Sequence, residues 1–242
     1  TDGTMRLDFT YVYDSKDELS GGFRISEVHT RLVLENFRNQ VNETLAHGAN
    51  VSVFLKYKLL RWSSFGLDIG TRANATRLAG GGPAYFLEPR ASLTYRFIPQ
   101  IALKSSWGIY LQDLVTISDE NEVVSVFEPW IITPLYLKPS SAIHYIGGFE
   151  ITPNEFLTFN LEGYYKLQKN LAIINENKFF ATDKDLIHGD GKSYGLEFLS
   201  KLTTNNLNFT TAYALMYSFK TVNGKTYSPR YDSRHNVNLT FE

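Results

Sequence analysis

A chain of 242 residues with net charge -1, 43% hydrophobic and 20% charged, can hold one large or two ordinary domains. Its neutral balance leaves out the basic face that nucleic-acid binding needs, and the absence of cysteine argues against a disulfide-stapled secreted scaffold and favours a bacterial source. No run of about 18 apolar residues occurs, which excludes a transmembrane helix. No signal peptide is legible at the polar opening from Thr1, so a mature form or a piece of a longer chain is expected.

In chain order, the recurring feature is alternation. Met5, Leu7, Phe9, Tyr11 and Tyr13 share one parity, against Arg6, Asp8 and Thr10. Side chains alternate faces along a strand, so this segment reads as a strand with one apolar and one polar face. Residues 14–22, polar and ending in Gly-Gly, read as a turn. A strand is expected over 23–37, with Val28, Thr30, Leu32 and Leu34 in phase, then a polar connection over 36–48. Val51, Val53, Leu55, Tyr57 and Leu59 oppose Ser52, Lys56 and Lys58. After a short turn at 61–64, Phe65, Leu67, Ile69, Thr71 and Ala73 oppose Asp68 and Arg72. The Gly-rich run at 79–83 opens a strand rather than a helix, so it reads as a hairpin loop and not as a phosphate cradle. Tyr85, Leu87, Ala91, Leu93 and Tyr95 then alternate with Glu88, Arg90, Ser92, Thr94 and Arg96. Beyond Ile98-Pro99 they are answered by Ile101, Leu103, Trp107, Ile109 and Leu111.

A long irregular stretch over 113–140 precedes the clearest hairpin, 141–168. In its first arm Ile143, Tyr145, Phe149 and Ile151 oppose His144 and Glu150; in its second Leu157, Phe159, Leu161 and Tyr165 oppose Asn160, Glu162 and Lys166. Thr152-Pro153-Asn154 is rich in turn formers and is taken as the link. A second long stretch follows over 169–191, then Tyr194, Leu196 and Phe198, a short turn at 203–206, and a long apolar face from Leu207 to Phe219. A loop over 221–233 leads to Val237, Leu239 and Phe241, where the chain ends.

About eleven antiparallel strands of roughly 10–14 residues are therefore expected, with short turns at one end and long loops at the other, the pattern of an outer-membrane barrel. The fold class is all-β, an antiparallel transmembrane β-barrel. Periodicity leaves open a soluble β-sandwich binding module, in which the apolar face would be core, and a self-contained passive porin of about twelve strands. A membrane sheet must close on itself, so about eleven strands, the last cut short, suggest either a small barrel or part of a larger one.

Certain strings also resemble a family. Leu87-Glu88-Pro89-Arg90 is followed by Ser92-Leu93 and Tyr95; Ala102-Leu103-Lys104 by Ser106-Trp107-Gly108, Tyr110 and Gln112; Lys138-Pro139 by His144-Tyr145 and Gly148-Phe149-Glu150. Gly163-Tyr164-Tyr165-Lys166, Tyr194-Gly195-Leu196-Glu197-Phe198-Leu199 and Pro229-Arg230-Tyr231-Asp232 with Arg234-His235 continue the series. In this order and spacing, over 85–242, the chain resembles the TonB-dependent outer-membrane receptors, in the large group common in Bacteroidota. Residues 1–84 fit only as generic barrel strands. The resemblance implies a barrel of about 22 strands plugged by an N-terminal domain. It also implies import of a scarce nutrient such as a siderophore, cofactor, peptide or glycan, driven through the TonB complex, with a surface lipoprotein among the partners. This chain carries no plug, so residues 1–242 are expected to be a partial barrel domain in the bacterial outer membrane.

No enzymatic motif is legible. There is no Gly-x-Ser-x-Gly elbow and no His-Glu-x-x-His, and the five histidines are scattered, so neither a catalytic residue, a metal site nor a cofactor is expected. Asp68, Arg72, Glu88, Arg90, Lys104, His144, Glu150, Glu162 and Glu197 all fall on polar faces and are expected to line the lumen. Paired carboxylates can hydrolyse glycosides, but a charged lumen wall accounts for these. Asp183, Asp185 and Asp190 share one loop without the spacing of a calcium-binding loop. Ligand contact is expected instead from loop aromatics and a neighbouring acid: Phe127, Glu128, Trp130 and Tyr136 in the first long loop, Phe179 and Phe180 in the second. Tyr145, Tyr164, Tyr165, Tyr194, Tyr213 and Tyr217, with Trp107, are expected to form part of an aromatic girdle against lipid.

Overall fold

A computed structural model describes residues 2–35, 41–77, 84–116, 130–180 and 182–242. Fourteen strands follow one another: β1 (Asp2–Val12), β2 (Glu18–Glu35), β3 (Val41–Leu59), β4 (Phe65–Arg77), β5 (Ala84–Ile98), β6 (Ile101–Gln112), β7 (Leu114–Thr116), β8 (Trp130–Ile132), β9 (Ser140–Asn154), β10 (Leu157–Ile174), β11 (Leu186–Thr203), β12 (Asn208–Val222), β13 (Lys225–Tyr227) and β14 (His235–Phe241). Eleven of them run in sequence order through one antiparallel sheet, β1 to β6, then β9 to β12, then β14, with the three-residue β13 also paired to β12. The expected count of about eleven long strands is met. β7 and β8 form a separate two-stranded ribbon.

The sheet is one continuous surface with an apolar and a polar side. Met5, Phe9, Val53, Leu87, Phe149, Leu161 and Leu239 all stand exposed. Two stacked sheets would have buried these residues against each other, so the sandwich expectation gives way to a single barrel-wall sheet. The only hydrophobic cluster of buried residues among those described is small: Val115, Ile131, Leu137 and Leu186, flanked by Ala172 and Ile174. It joins the β7–β8 ribbon and Leu137 to the ends of β10 and β11 nearest the long connections. The short turns gather at the opposite end.

Several boundaries move. Gly21 and Gly22 belong to β2, opposite Phe9 and Asp8 in β1, so the first turn is confined to about Tyr13–Asp17. Residues 41–48, taken as connection, are the first part of β3, which has 19 residues, beside 18 in β2. At about 3.4 Å per residue such strands far exceed the 9–11 residues that cross a bilayer. Their far halves have lost the alternation: Arg31 pairs with Glu43 at 2.7 Å and the His29 and His47 rings stack on the face that is apolar lower down. The phase expected for β2 is also reversed. Phe23 and Ile25 lie opposite Leu7 and Met5 on the apolar face, which puts Val28 and Thr30 on the polar face. They are apolar or neutral there because β8 covers them, with the Ile132 amide donating to Thr30 Oγ1 at 3.4 Å. The side chains of Leu32 and Leu34, and the Gly-rich run at 80–82, lie outside the described residues. The 141–168 hairpin reverses at Glu155-Phe156, two residues beyond Pro153, where Asn154 Oδ1 accepts the Phe156 amide at 3.0 Å.

The first two turns are tied by a buried carboxylate. Asp17, only 1% exposed, accepts hydrogen bonds from Tyr57 Oη at 2.6 Å, the Leu60 amide at 2.9 Å, the Arg61 amide at 3.1 Å and the Arg61 guanidinium. The Arg61 guanidinium, and then the Tyr57 hydroxyl, hold its carboxyl well below the usual carboxylate range. A depressed carboxylate stabilises the fold above its unfolded pKa of about 3.9 and stops doing so only as pH falls through the lower folded value. The turn contact should therefore survive mild acid and open only in strong acid. Asp17→Asn should loosen it at neutral pH, read as lost hydrogen-exchange protection at the Leu60 and Arg61 amides. Unchanged protection would show that the carboxylate charge is dispensable.

Candidate functional site on the polar face

The cross-strand register brings the expected lumen charges onto one face. Arg72 lies opposite Glu88 between β4 and β5, and Asp68 opposite Lys58 between β4 and β3. Gly108 separates Arg90 from His144, and Gly148 separates Lys104 from Glu162, which lies directly opposite Glu197. Most of these charges are neutralised locally. Lys104 pairs with Glu150, Lys56 with Asp68 at 3.7 Å and Lys58 with Glu18 at 3.0 Å. Among the carboxylates Glu162 and Glu197 are the exception: among the described residues neither has a hydrogen-bond or ion-pair partner. Like charges directly opposed across a ladder oppose its formation, so this pair marks a place where a cation from outside the sheet would be favourable.

The most organised site lies under the β7–β8 ribbon. The chain leaves β6, and the ribbon reaches over β5 and β4 so that β8 packs on β2 and β3. Between ribbon and wall is a cavity of about 320 Å³ whose charged lining is Arg24, Arg72, Glu88, Arg90 and Asp113. Glu88 is 4% exposed and accepts from Asn74 Nδ2 and, at 2.5 Å, from Arg90 Nη2. Arg90 also stacks its guanidinium 4.4 Å over the Tyr110 ring, which in turn lies 4.6 Å from the His144 ring. Arg72 donates from Nη2 to Ser52 Oγ at 2.7 Å, while its buried Nε has no acceptor among the described residues. Asp113 ties the start of the ribbon to the wall. Its carboxylate accepts from Thr76 Oγ1 at 2.7 Å and Asn50 Nδ2 at 3.3 Å, and its carbonyl accepts the Thr133 amide at 2.8 Å.

The geometry here ties the ribbon to the wall through charge-assisted hydrogen bonds. Glu88 and Asp113 are both committed as acceptors, Glu88 from Asn74 and Arg90 and Asp113 from Thr76 and Asn50. Sequence reasoning found Arg72, Glu88, Arg90 and His144 but missed Asp113, Tyr110 and the ribbon. The signal for Asp113, an acid directly after a strand whose last polar-face residue is Gln112, was too short to read.

The loop residues are only partly gathered. Tyr136 packs against the second loop, with the Lys184 ammonium 5.0 Å over its ring, and burial raises its hydroxyl pKa. Phe179 and Phe180 lie edge to face at 5.0 Å, both exposed. Asp183 positions them by accepting the Phe180 amide at 2.7 Å and the Phe179 amide at 2.9 Å, and those two amides hold its carboxyl below the usual range. Trp130 opens β8, opposite Thr116, and is exposed; among the described residues it makes no ring contact. Phe127 and Glu128, with Asp119, Glu120 and Glu122, lie outside the described residues. The acidic loop run is split: Asp183 holds the two phenylalanine amides, Asp185 pairs with Lys178 at 2.5 Å and Asp190 with Lys169 at 2.6 Å.

On the apolar face Trp107, Tyr145, Tyr165, Tyr194 and Tyr217 occupy one cross-strand row from β6 to β12. Tyr213 shares their face, two rows nearer the short turns. Tyr164 does not belong with them. It lies beside Lys166, whose ammonium is 4.8 Å from its ring centroid, on the polar face. Adjacent residues in a strand point to opposite sides, so Tyr164 and Tyr165 cannot both meet lipid.

No protein-family profile matches this sequence, and neither does any curated protein. Its fold does have relatives. The chain is similar to the ferripyoverdine receptor of the outer membrane of Pseudomonas aeruginosa, with TM-score 0.69 and 12% identity, covering 99% of this chain and 35% of that one. It is also similar to the siderophore receptor PirA from Acinetobacter baumannii (TM-score 0.67, 12% identity, 98% and 40% covered). A third is the FrpB iron transporter from Neisseria meningitidis (TM-score 0.67, 12% identity, 97% and 38% covered). At such identities the likeness is one of fold: the sheet has the architecture of part of an outer-membrane barrel wall. The chain spans well under half the length of each of these proteins.

Proposed function

We propose that this chain is a wall segment of a bacterial outer-membrane active transporter of the TonB-dependent type, of the kind common in Bacteroidota, importing a scarce nutrient such as a siderophore, cofactor, peptide or glycan. The observation that carries the proposal is that 99% of the chain follows the fold of 35% of a ferripyoverdine receptor. The two-sided sheet supports it. An apolar face with an aromatic row suits lipid, and a charged face with a ribbon folded over it suits a lumen. On this reading the polar face meets a plug domain that contacts the TonB complex. The unpartnered Glu162–Glu197 pair would be settled by a cation on that plug, and the exposed loop aromatics Trp130, Tyr136, Phe179 and Phe180 would receive the ligand, with or without a surface lipoprotein.

The full-length protein in a planar bilayer under KCl should show no steady open conductance. In cells, uptake of iron-55 presented on a panel of siderophores should cease when a protonophore is added. A constant ohmic conductance together with protonophore-insensitive uptake would instead establish the passive porin.

A further inference from the structure

The apolar face is not evenly covered. Between the Trp107–Tyr145–Tyr165–Tyr194–Tyr217 row and the next row of large side chains, Leu103–Phe149–Leu161–Phe198–Tyr213, runs a cross-strand row whose centre is Ser105, Gly147 and Gly163. Gly147 and Gly163 are direct partners, so two side chains are missing side by side. The result is an open trough of about 900 Å³, lined on one side by the aromatic row, with Leu196 Cδ2 leaning to 3.3 Å from where a β carbon on Gly163 would stand. A β carbon placed on Gly147 would meet nothing within 4 Å. The glycine is therefore not demanded by a close backbone approach, and in a strand interior it lacks a side chain to pack.

One residue breaks the apolar pattern beside this trough. Lys192 lies on the same face, between Leu167 and Phe219 and two residues from Tyr194 toward the long loops. Its ammonium stands 5.3 Å from the Tyr194 ring centroid and 5.5 Å from that of Tyr165. Among the described residues no carboxylate forms an ion pair with it. One step further toward the loops the face turns polar, with Lys169 and Asp190 paired across the β10–β11 ladder. The sequence of features along the face is thus a trough, an aromatic row, a cation, and then water-compatible groups.

We propose that this surface binds one anionic phospholipid, with an acyl chain in the Gly147–Gly163 trough and the phosphate on Lys192. The trough accepts an alkyl chain because its lining is apolar. Lys192 selects a negative headgroup because it carries the uncompensated charge at the level where a phosphate would lie. The two tyrosine rings hold the ammonium there by attraction to their faces. The proposal rests on the membrane reading of the apolar face given above.

The test uses the full-length protein purified in detergent, with dioleoyl phosphatidylglycerol and dioleoyl phosphatidylcholine as probes and retained lipid counted by native mass spectrometry. The wild type should retain one phosphatidylglycerol in preference to phosphatidylcholine, unaffected by added inorganic phosphate. Lys192→Gln should abolish the preference but still retain lipid, about tenfold more weakly. Gly147→Leu, which fills open space, should remove the retained lipid of either kind. Equal retention of both lipids by the wild type, or unchanged retention by Gly147→Leu, would overturn the proposal, as would displacement of the lipid by inorganic phosphate. Insertion into vesicles, checked by protease protection of each variant, separates these outcomes from failure of the membrane reading itself, in which no variant would insert.

Discussion

Leu161→Arg should cost the bilayer-inserted protein roughly 2–4 kcal/mol, the penalty for a basic side chain near the midplane of a barrel's lipid face. Leu161 stands in the middle of the apolar band, between Phe149 on β9 and Phe198 on β11. The same substitution one residue later should behave oppositely. Glu162 faces the polar side directly across from Glu197, so Glu162→Arg would replace a repulsive cross-strand pair with an attractive one, a change of about 0.2–1 kcal/mol in favour of the fold. Urea unfolding of both variants in lipid vesicles measures the contrast. A soluble protein would show the reverse order, because an arginine on an exposed apolar face would then improve solubility at little cost. Similar effects at the two positions would remove the distinction between lipid and lumen faces altogether.

That contrast rests on alternation, and where the environment is two-sided the sequence was legible. Met5 to Tyr13, Tyr85 to Arg96 and both arms of the 141–168 hairpin each place apolar residues on one side and charges on the other, and the ladders pair them as the parity requires. Legibility fails where a second influence acts on the same residues. Val28 and Thr30 looked like an apolar face because they are one, but they serve the β8 ribbon rather than lipid, so the phase inverted. Residues 41–48 looked like a connection because that part of β3 runs past the apolar band, where neither face has to be apolar. Three-residue strands such as β7 and β8 leave no periodicity to detect. Asp17 gave no local signal at all: its partners are 40 to 44 residues away, joined only when the first two turns come together. In the site, the charged wall was readable because it follows the strand parity. The cavity was not, since it depends on a ribbon attached to β6 landing on β2 and β3.

The pair Gly147-Gly148 shows how far neighbouring identical residues can differ once the sheet is formed. Gly147 faces open space, whereas a β carbon on Gly148 would fall 2.2 Å from the Leu161 carbonyl oxygen and 2.8 Å from Glu162 Cα. The obstruction is backbone, so it cannot be relieved by a rotamer change. Gly148 lies between Lys104 on β6 and Glu162 on β10, in the centre of the wall. Gly148→Val should therefore force β9 away from β10, at a cost of at least the 1–3 kcal/mol typical of overpacking. A one-residue slip would not rescue it, because that would turn Phe149 and Tyr145 toward the lumen and His144 and Glu150 toward lipid. The expected result is a protein that inserts poorly, with amide protection lost along β9 and β10, while Gly147→Ala inserts and unfolds like the wild type. If Gly148→Val and Gly147→Ala were equally tolerated, β9 and β10 would have to be further apart at this point than the ladder places them.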